Sequence, residues 1–364
     1  MSAWQCYTYV SPDESVDTGV SGRSVRSDAA RSLRFVAERT VDVTTHPVPQ
    51  PGPNEVLIEA VVSAISAGTE RLIYRNESPD GIEADEFLPT LDGELSYPLS
   101  YGYATVGTVV AVGENVDSTW LDRRVFAYHP HASHFTISVE HAMKIPESLT
   151  FEEATLFANM ETAVTFLLDG QPVVGERVLV FGQGVVGLLT TSILGEMPLD
   201  SLITVDAFEK RCAVSEEFGA DRAIHLERAD VAVVLESTWD RGADLVYEVS
   251  GNPEALDDAI ALTGFGGRVI VGSWYGEKPS TVHLGGNFHR DRIEIRSSQV
   301  STLPPSVDGR ITRDRRREIA WDWLEHLPVS KLLTHRIPIE EAPRAFELLD
   351  TRPADTIQLL LTYP

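Results

Sequence analysis

The sequence predicts an α/β chain in which a doubly wound parallel sheet follows a partly closed β-barrel. Three observations predict it. Short strand-like runs crowd the first 150 residues between Gly and Pro punctuation, the pattern of a barrel. From Phe151 strands and helices alternate through about Ile295, which implies a parallel sheet with helices on both faces. At the head of that alternation the apolar run Val178–Phe181 meets a turn with glycine at 182, 184 and 187. The 364 residues allow about two domains. We expect them at 1–150 and 151–296, with 297–364 returning to the first.

In chain order, Tyr7–Val10 reads as a short strand, and Ser11–Ser32, rich in Ser, Asp, Gly and Arg, as a flexible excursion. Leu33–Val43 reads as a strand pair or a bent strand. His46–Pro53 alternates proline with other residues and is expected to be an extended connector outside any ladder. Glu55–Ile65 is strongly β-prone, Ser66–Arg75 a polar turn entering a short helix, and Asp80–Glu94 an acidic loop. Tyr103–Val112, Arg124–Tyr128 and Phe135–Val139 complete the barrel strands. Glu152–Leu168 reads as one helix. The parallel strands follow at Val178–Phe181, Leu202–Val205, Ala223–His225, Leu245–Glu248 and Arg268–Gly272. Arg310–His326 and Ala342–Asp350 read as helices, and Ile357–Tyr363 as a closing strand. No repeat of solenoid-like period is present.

The glycine turn carries the first functional signal. Gly182 suits a tight turn, Gly184 the close approach of a pyrophosphate to the backbone, and Gly187 the packing of helix on strand. The amides around Val185 and Val186 would open the helix, where its dipole favours negative charge. A second apolar strand ends in Asp206, placed to meet adenosine ribose hydroxyls. Ser250-Gly251 and Gly272-Ser273 follow later strands, at the carboxyl ends where open α/β sheets bind ligands. The plainer reading of the glycines is a glycine-rich turn beside a helix-capping Asp. A carboxylate at 206 favours NAD over NADP, because it repels a 2′-phosphate. Lys210 and Arg211 could soften that preference, although their plainer reading is helix-surface charge.

Net charge is −25 and the isoelectric point near 4.7. So acidic a surface repels nucleic-acid backbones and suits a salty cytoplasm, where screening relieves self-repulsion. No apolar run is long enough to span a bilayer, and Met1–Val10 lacks the marks of a secretory signal. Cys6 and Cys212 are the only cysteines, too few for a disulfide framework or a four-cysteine zinc lobe. The expectation is a cytoplasmic protein acting on a small molecule, without nucleic-acid or membrane partners.

Four segments resemble the medium-chain dehydrogenase/reductase superfamily. They are Pro51-Gly-Pro-Asn-Glu-Val-Leu-Ile, Tyr101-Gly-Tyr-Ala-Thr-Val-Gly-Thr-Val-Val-Ala-Val-Gly, Asp122-Arg-Arg-Val-Phe and the glycine turn itself. Ser66-Ala-Gly-Thr-Glu-Arg-Leu-Ile-Tyr-Arg, Phe126-Ala-Tyr-His-Pro-His and Ser297-Ser-Gln-Val look like a zinc-binding dehydrogenase-like branch that includes bacteriochlorophyllide-type enzymes. The resemblance implies a Rossmann doubly wound parallel sheet plus a GroES-like, partly open β-barrel. It further implies a nicotinamide cofactor, Thr162 near its ribose, and a homodimer, such relatives often joining through the sheet edge.

The chain departs from the family at its metal. Carried over position by position, the zinc ligands fall on Ala67, Tyr103 and a residue near Ala158, with Asn159 and Glu161 close by; the glutamate after the histidine position is Ala104. Methyl groups cannot hold a metal, and a neutral phenol is a poor ligand beside imidazole or thiolate. His129, His131 and His134 form a histidine-rich stretch, but on an extended segment His129 and His131 would share a face and His134 would not. No zinc is expected. Thr69 falls where the family keeps a relay hydroxyl. Tyr103 could donate a proton or hydrogen bond, and His129 could titrate near neutral pH; plainer readings are volume filling and simple hydrogen bonding. The arginine-rich Arg310–Arg317 is either an anion-recognition patch or a solvated helix turn paired with acidic neighbours.

These readings converge on a zinc-independent, NAD(H)-dependent oxidoreductase acting on a carbonyl/alcohol or an activated alkene. Two alternatives stand beside it: a zinc alcohol dehydrogenase with displaced ligands, and a catalytically inactive dinucleotide-binding sensor or scaffold.

Overall fold

The computed structural model describes residues 21–22, 29–79, 81–84, 90–91, 93–307 and 309–364. The expected strand at Tyr7–Val10 lies outside them. The barrel half comprises β1 (Ser21–Gly22), β2 (Ala29–Ala37), β3 (Thr40–Pro47), β4 (Glu55–Ala64), helix α1 (Thr69–Tyr74), β5 (Thr105–Val112), β6 (Arg124–Ala127), β7 (His134–Ser138) and β8 (Met143–Lys144). Strands β2 and β3 form a separate antiparallel pair turning at Arg39. Two expectations are corrected there. Ala29–Ser32 belongs to β2, not to an excursion, and His46 and Pro47 pair with Ala30 and Ala29. A proline at a strand end costs no interior ladder bond.

After the barrel come α2 (Phe151–Ala154) and α3 (Phe157–Gly170). The expected single helix is broken between them, where Thr155 Oγ1 donates to Glu152 O and the amides of Thr155 and Leu156 take i−3 carbonyls, tightening the turn. The sheet half runs β9 (Arg177–Phe181), α4 (Val185–Gly195), β10 (Ser201–Asp206), α5 (Glu209–Glu217), β11 (Arg222–His225), α6 (Val231–Thr238), β12 (Ala243–Glu248), α7 (Glu254–Ala261), β13 (Thr263–Val271) and β14 (Glu294–Ser297). Its six parallel strands lie in the order β11-β10-β9-β12-β13-β14. This is the doubly wound Rossmann order, and it reverses between β9 and β12. Alternate side chains serve opposite faces: Val178 and Val180 pack with Tyr247 and Ile270, Leu179 and Phe181 with Ile203 and Val246.

The chain then returns through α8 (Arg313–His326), β15 (Leu333–Pro338), α9 (Ala342–Thr351) and β16 (Gln358–Thr362). Strand β16 pairs with β4, so the barrel sheet is closed in part by the last strand of the protein. A shared core joins the halves: Ala64, Ala104, Phe126 and Leu360 from the barrel meet Phe157, Met160, Leu188 and Leu324. Among the described residues no helix is long and apolar enough to cross a membrane.

Candidate active site

The nucleotide side is built at the switch between β9 and β12. Gly182 has φ +92°, and a side chain there would lie 2.5 Å from Ser250 Cα. A Cβ on Gly187 would lie 2.0 Å from Gly182 O, so strand and helix touch only because both are glycine. Gly184, the N-cap of α4, is different: a Cβ would meet nothing nearer than Arg211 Nη1, at 4.0 Å. The open space above it, with Val185 and Val186 opening the helix, is the cradle a pyrophosphate needs. Residues present at this turn therefore fit a dinucleotide.

Asp206 is nearly buried at the end of β10. Its Oδ2 accepts from the Gln183 amide at 2.7 Å and its Oδ1 from the Phe208 amide at 2.8 Å, pinning the glycine turn to the neighbouring strand. Arg211 reaches to 3.9 Å from the same carboxylate, lies over the Phe208 ring, and donates to Pro353 O and Thr356 O at 3.0 Å each. Burial lowers its pKa. The helix-surface reading of Arg211 is therefore corrected: it links the nucleotide side to the returning C-terminal segment. Lys210 does the same from the surface, donating to Asp355 O.

On the β12 side Glu248 is fully buried. It accepts from the Ser250 amide (2.9 Å), the Ser250 hydroxyl and Tyr275 Oη (2.5 Å). The Gly251 amide donates to Ser273 Oγ at 2.8 Å, so Ser250-Gly251 and Ser273 form one hydrogen-bonded rim. Gly272 has a packing reason: a Cβ would lie 2.3 Å from the Phe166 ring. Thr162 Oγ1 donates to Ala158 O within α3. Nothing in the sequence singles out Glu248 or Tyr275, because neither, unlike Asp206, stands at a set spacing from the glycine turn.

On the barrel side Tyr103 and Thr69 come together around a residue the sequence reading had quoted without a role. Tyr103 Oη donates to Ser66 Oγ at 2.5 Å, and the Thr69 amide donates to the same oxygen at 3.4 Å. His129 is elsewhere. Its ring stacks on Phe135 with centroids 3.8 Å apart, its Nδ1 bonds Pro130 O, and burial lowers its pKa to about 4. It is neutral across the physiological range, which corrects the expectation of a titrating partner.

A catalytic zinc does not fit the residues at the family's ligand positions. Ala67, Ala104 and Ala158 offer no donor, and the Tyr103 hydroxyl is engaged in donating a hydrogen bond to Ser66 Oγ. Asn159 bonds Gln358, while the Glu161 carboxylate is taken by Arg316 and Tyr128. The three histidines separate: His131 bonds Glu70 and Ser63, His134 bonds Ser133, and His129 faces Phe135. The face shared by His129 and His131 does not form, because residues 129–133 precede the strand. Among the described residues no group of three or more His, Cys, Asp or Glu is placed to hold a metal ion. Of the arginine-rich segment, Arg315 and Arg317 pair with acidic neighbours on the surface, while Arg316 is buried against Glu161.

The chain is similar to known proteins over most of its length. A family model for zinc-binding dehydrogenases matches residues 185–313. The L-threonine 3-dehydrogenase of Stenotrophomonas maltophilia (strain K279a) is 25% identical over 343 residues, spanning 86% of this chain and 94% of its own. The short chain alcohol dehydrogenase of Escherichia coli CFT073, solved with NADH, superposes with a TM-score of 0.76 at 20% identity, over 93% of this chain and 100% of that one. A dehydrogenase of the zinc-binding type from Sinorhizobium meliloti 1021, bound to NADP, gives 0.74 at 18% identity over 92% and 100%.

Proposed function

Because the chain is an oxidoreductase of the alcohol dehydrogenase-like medium-chain dehydrogenase/reductase superfamily, we propose that it is a zinc-independent enzyme using NAD(H). Its substrate in this reading is a small carbonyl or alcohol, or an activated alkene. The observation that carries the reading is the Tyr103–Ser66 hydroxyl pair, 2.5 Å apart, standing where zinc relatives keep a metal ligand.

The nicotinamide supplies or takes up the hydride when bound. Gly184 and the amides of Val185 and Val186 would receive the pyrophosphate, and Asp206 the adenosine ribose, with Arg211 beside it. Thr162 and the Ser250-Gly251 and Gly272-Ser273 rim would border the nicotinamide half. Tyr103 carries a phenolic hydroxyl that donates to Ser66 Oγ and would offer a proton to a developing oxyanion in the reducing direction. Ser66 Oγ accepts from two donors, which leaves its own hydrogen for a third group such as a substrate oxygen. Thr69 holds that oxygen through its amide and brings a second hydroxyl to the turn.

Purified protein is assayed with NADH and NADPH against aldehydes, quinones and enones, and with NAD against L-threonine and other secondary alcohols, before and after chelation. Turnover should survive chelation, with kcat/KM at least about tenfold higher for NADH. Comparable turnover with NADPH would remove the NAD assignment. Loss on chelation with recovery on adding zinc would favour displaced ligands, and nucleotide binding without turnover a sensor. Tyr103→Phe should lower kcat by about 10²-fold with nucleotide affinity unchanged.

A further inference from the structure

Beneath the Tyr103–Ser66 pair lies a polar chain whose Ser63, Glu70 and His131 are closed off from solvent. Glu70 and His131 are both fully buried, and Glu70 Oε2 and His131 Nε2 are 2.8 Å apart. His131 Nδ1 is 2.7 Å from Ser63 Oγ, which is 2.7 Å from Tyr363 Oη. The other Glu70 oxygen accepts from the Ser66 amide at 2.8 Å, and the Glu70 amide donates to Ser66 O. Every polar atom in the chain has a partner: Glu70 and Nε2 bond each other, and Ser63 Oγ bridges Nδ1 and the hydroxyl of Tyr363, which burial keeps protonated.

The order Ser63–His131–Glu70 resembles a hydrolytic triad. Ser63 is fully buried with its hydroxyl between His131 and Tyr363, so no reacting carbonyl reaches it. The arrangement must serve another purpose. Gly102 shows which: its φ is +128°, and a Cβ would lie 2.9 Å from the His131 ring. The imidazole therefore presses on the backbone immediately before Tyr103, while through Glu70 it holds the amide of Ser66, whose oxygen accepts the Tyr103 hydrogen bond.

We propose that His131 is a positioning residue for the reaction, fixing the Tyr103–Ser66–Thr69 constellation from both sides through the Glu70–His131–Ser63 chain. This rests on the reading in which Tyr103 handles the proton. A buried, fully paired network holds one geometry because any shift strands a polar group. Misplacement of the proton donor is then expected to cost turnover out of proportion to binding.

The test follows Tyr103 itself, as the ultraviolet difference between each protein and its Tyr103→Phe counterpart during alkaline titration. The Ser66 hydroxyl that accepts from Tyr103 can turn to donate to the phenolate, which favours the charged form, so loosening the chain should withdraw that support. In His131→Gln the Tyr103 midpoint should rise by about half a pH unit or more, while Glu70→Gln, which also removes a charge, is read by activity alone. The kcat should fall about 10²-fold with NADH affinity unchanged, and adding either change to Tyr103→Phe should cost nothing further. An unchanged midpoint in folded His131→Gln would overturn the proposal. If that variant does not fold, Ser63→Ala, which removes only the far hydroxyl, is read the same way. Full activity of Tyr103→Phe would instead sink the proton-handling reading and leave the midpoint result to judge the chain on its own.

Discussion

Histidine 129 shows how enclosure edits what a residue type offers. An imidazole of ordinary pKa titrates near neutrality, but stacked on Phe135 this one is lowered to about 4, chiefly by burial. The linkage has a definite sign. The unfolded chain takes up a proton near pH 6.5 and the folded one only near 4, so stability is complete above 6.5 and is lost as pH falls between those values. The loss amounts to at most about 3 kcal/mol. Thermal unfolding should show this slope, and His129→Phe should flatten it; an unaltered slope would mean other groups carry the acid sensitivity. Asp206 and the glycines stand out in the sequence because they share one local motif, and Thr69 and Tyr103 because the resemblance singles out their positions. Ser66, Glu70 and His131 were not legible as a network, since their partners lie up to 68 residues away in sequence.

At the scale of elements, the α3–α8 pair is held by one buried arginine. Arg316 reaches from the first turn of α8 to Glu161 at 2.7 and 3.1 Å, to Thr165 Oγ1 at 3.2 Å and to Val300 O. Tyr128, kept protonated by burial and then by the Glu161 charge, caps the same carboxylate. Arg316→Met strands a buried charge and should cost about 3–5 kcal/mol. Adding Glu161→Gln should recover part of it, both read from urea unfolding. No pattern in the sequence separated Arg316 from its exposed neighbours, because only packing on α3 decides which arginine turns inward. Strands β14 and β15 were missed for a related reason. Each lies at the edge of its sheet, and all four residues of β14 are exposed. Neither carries the apolar run or clean alternation that marks a covered strand.

For the whole molecule, the net charge of −25 sets how strongly the surface repels itself. If the acidic surface is salt-adapted, as we propose, raising KCl toward roughly 1 M, where the Debye length is about 3 Å, should raise the unfolding temperature. Equal stability in dilute buffer would end that proposal. The exposed edge of β14 offers the surface for the homodimer we also propose, with unpaired backbone groups along it; light scattering at monomer mass would remove it. The two halves are already bound within one chain. Glu277 N donates to Glu77 O at 3.0 Å and Lys278 pairs with Glu77 at 3.1 Å, while Arg211 grips the segment before β16.

The sequence by itself determined the barrel-then-sheet order, the glycine turn after β9, the acid that ends β10 and the methyl side chains at 67, 104 and 158. All of these are set by short-range spacing, which a linear chain displays directly. Only the tertiary structure decided that Ser66 accepts the Tyr103 hydrogen bond, that His131 is locked beneath it, that His129 is silent, and that Arg211 and Arg316 serve the interior. Those outcomes depend on which distant groups share a buried space, and burial is what turns a polar side chain from a solvated ornament into a fixed partner.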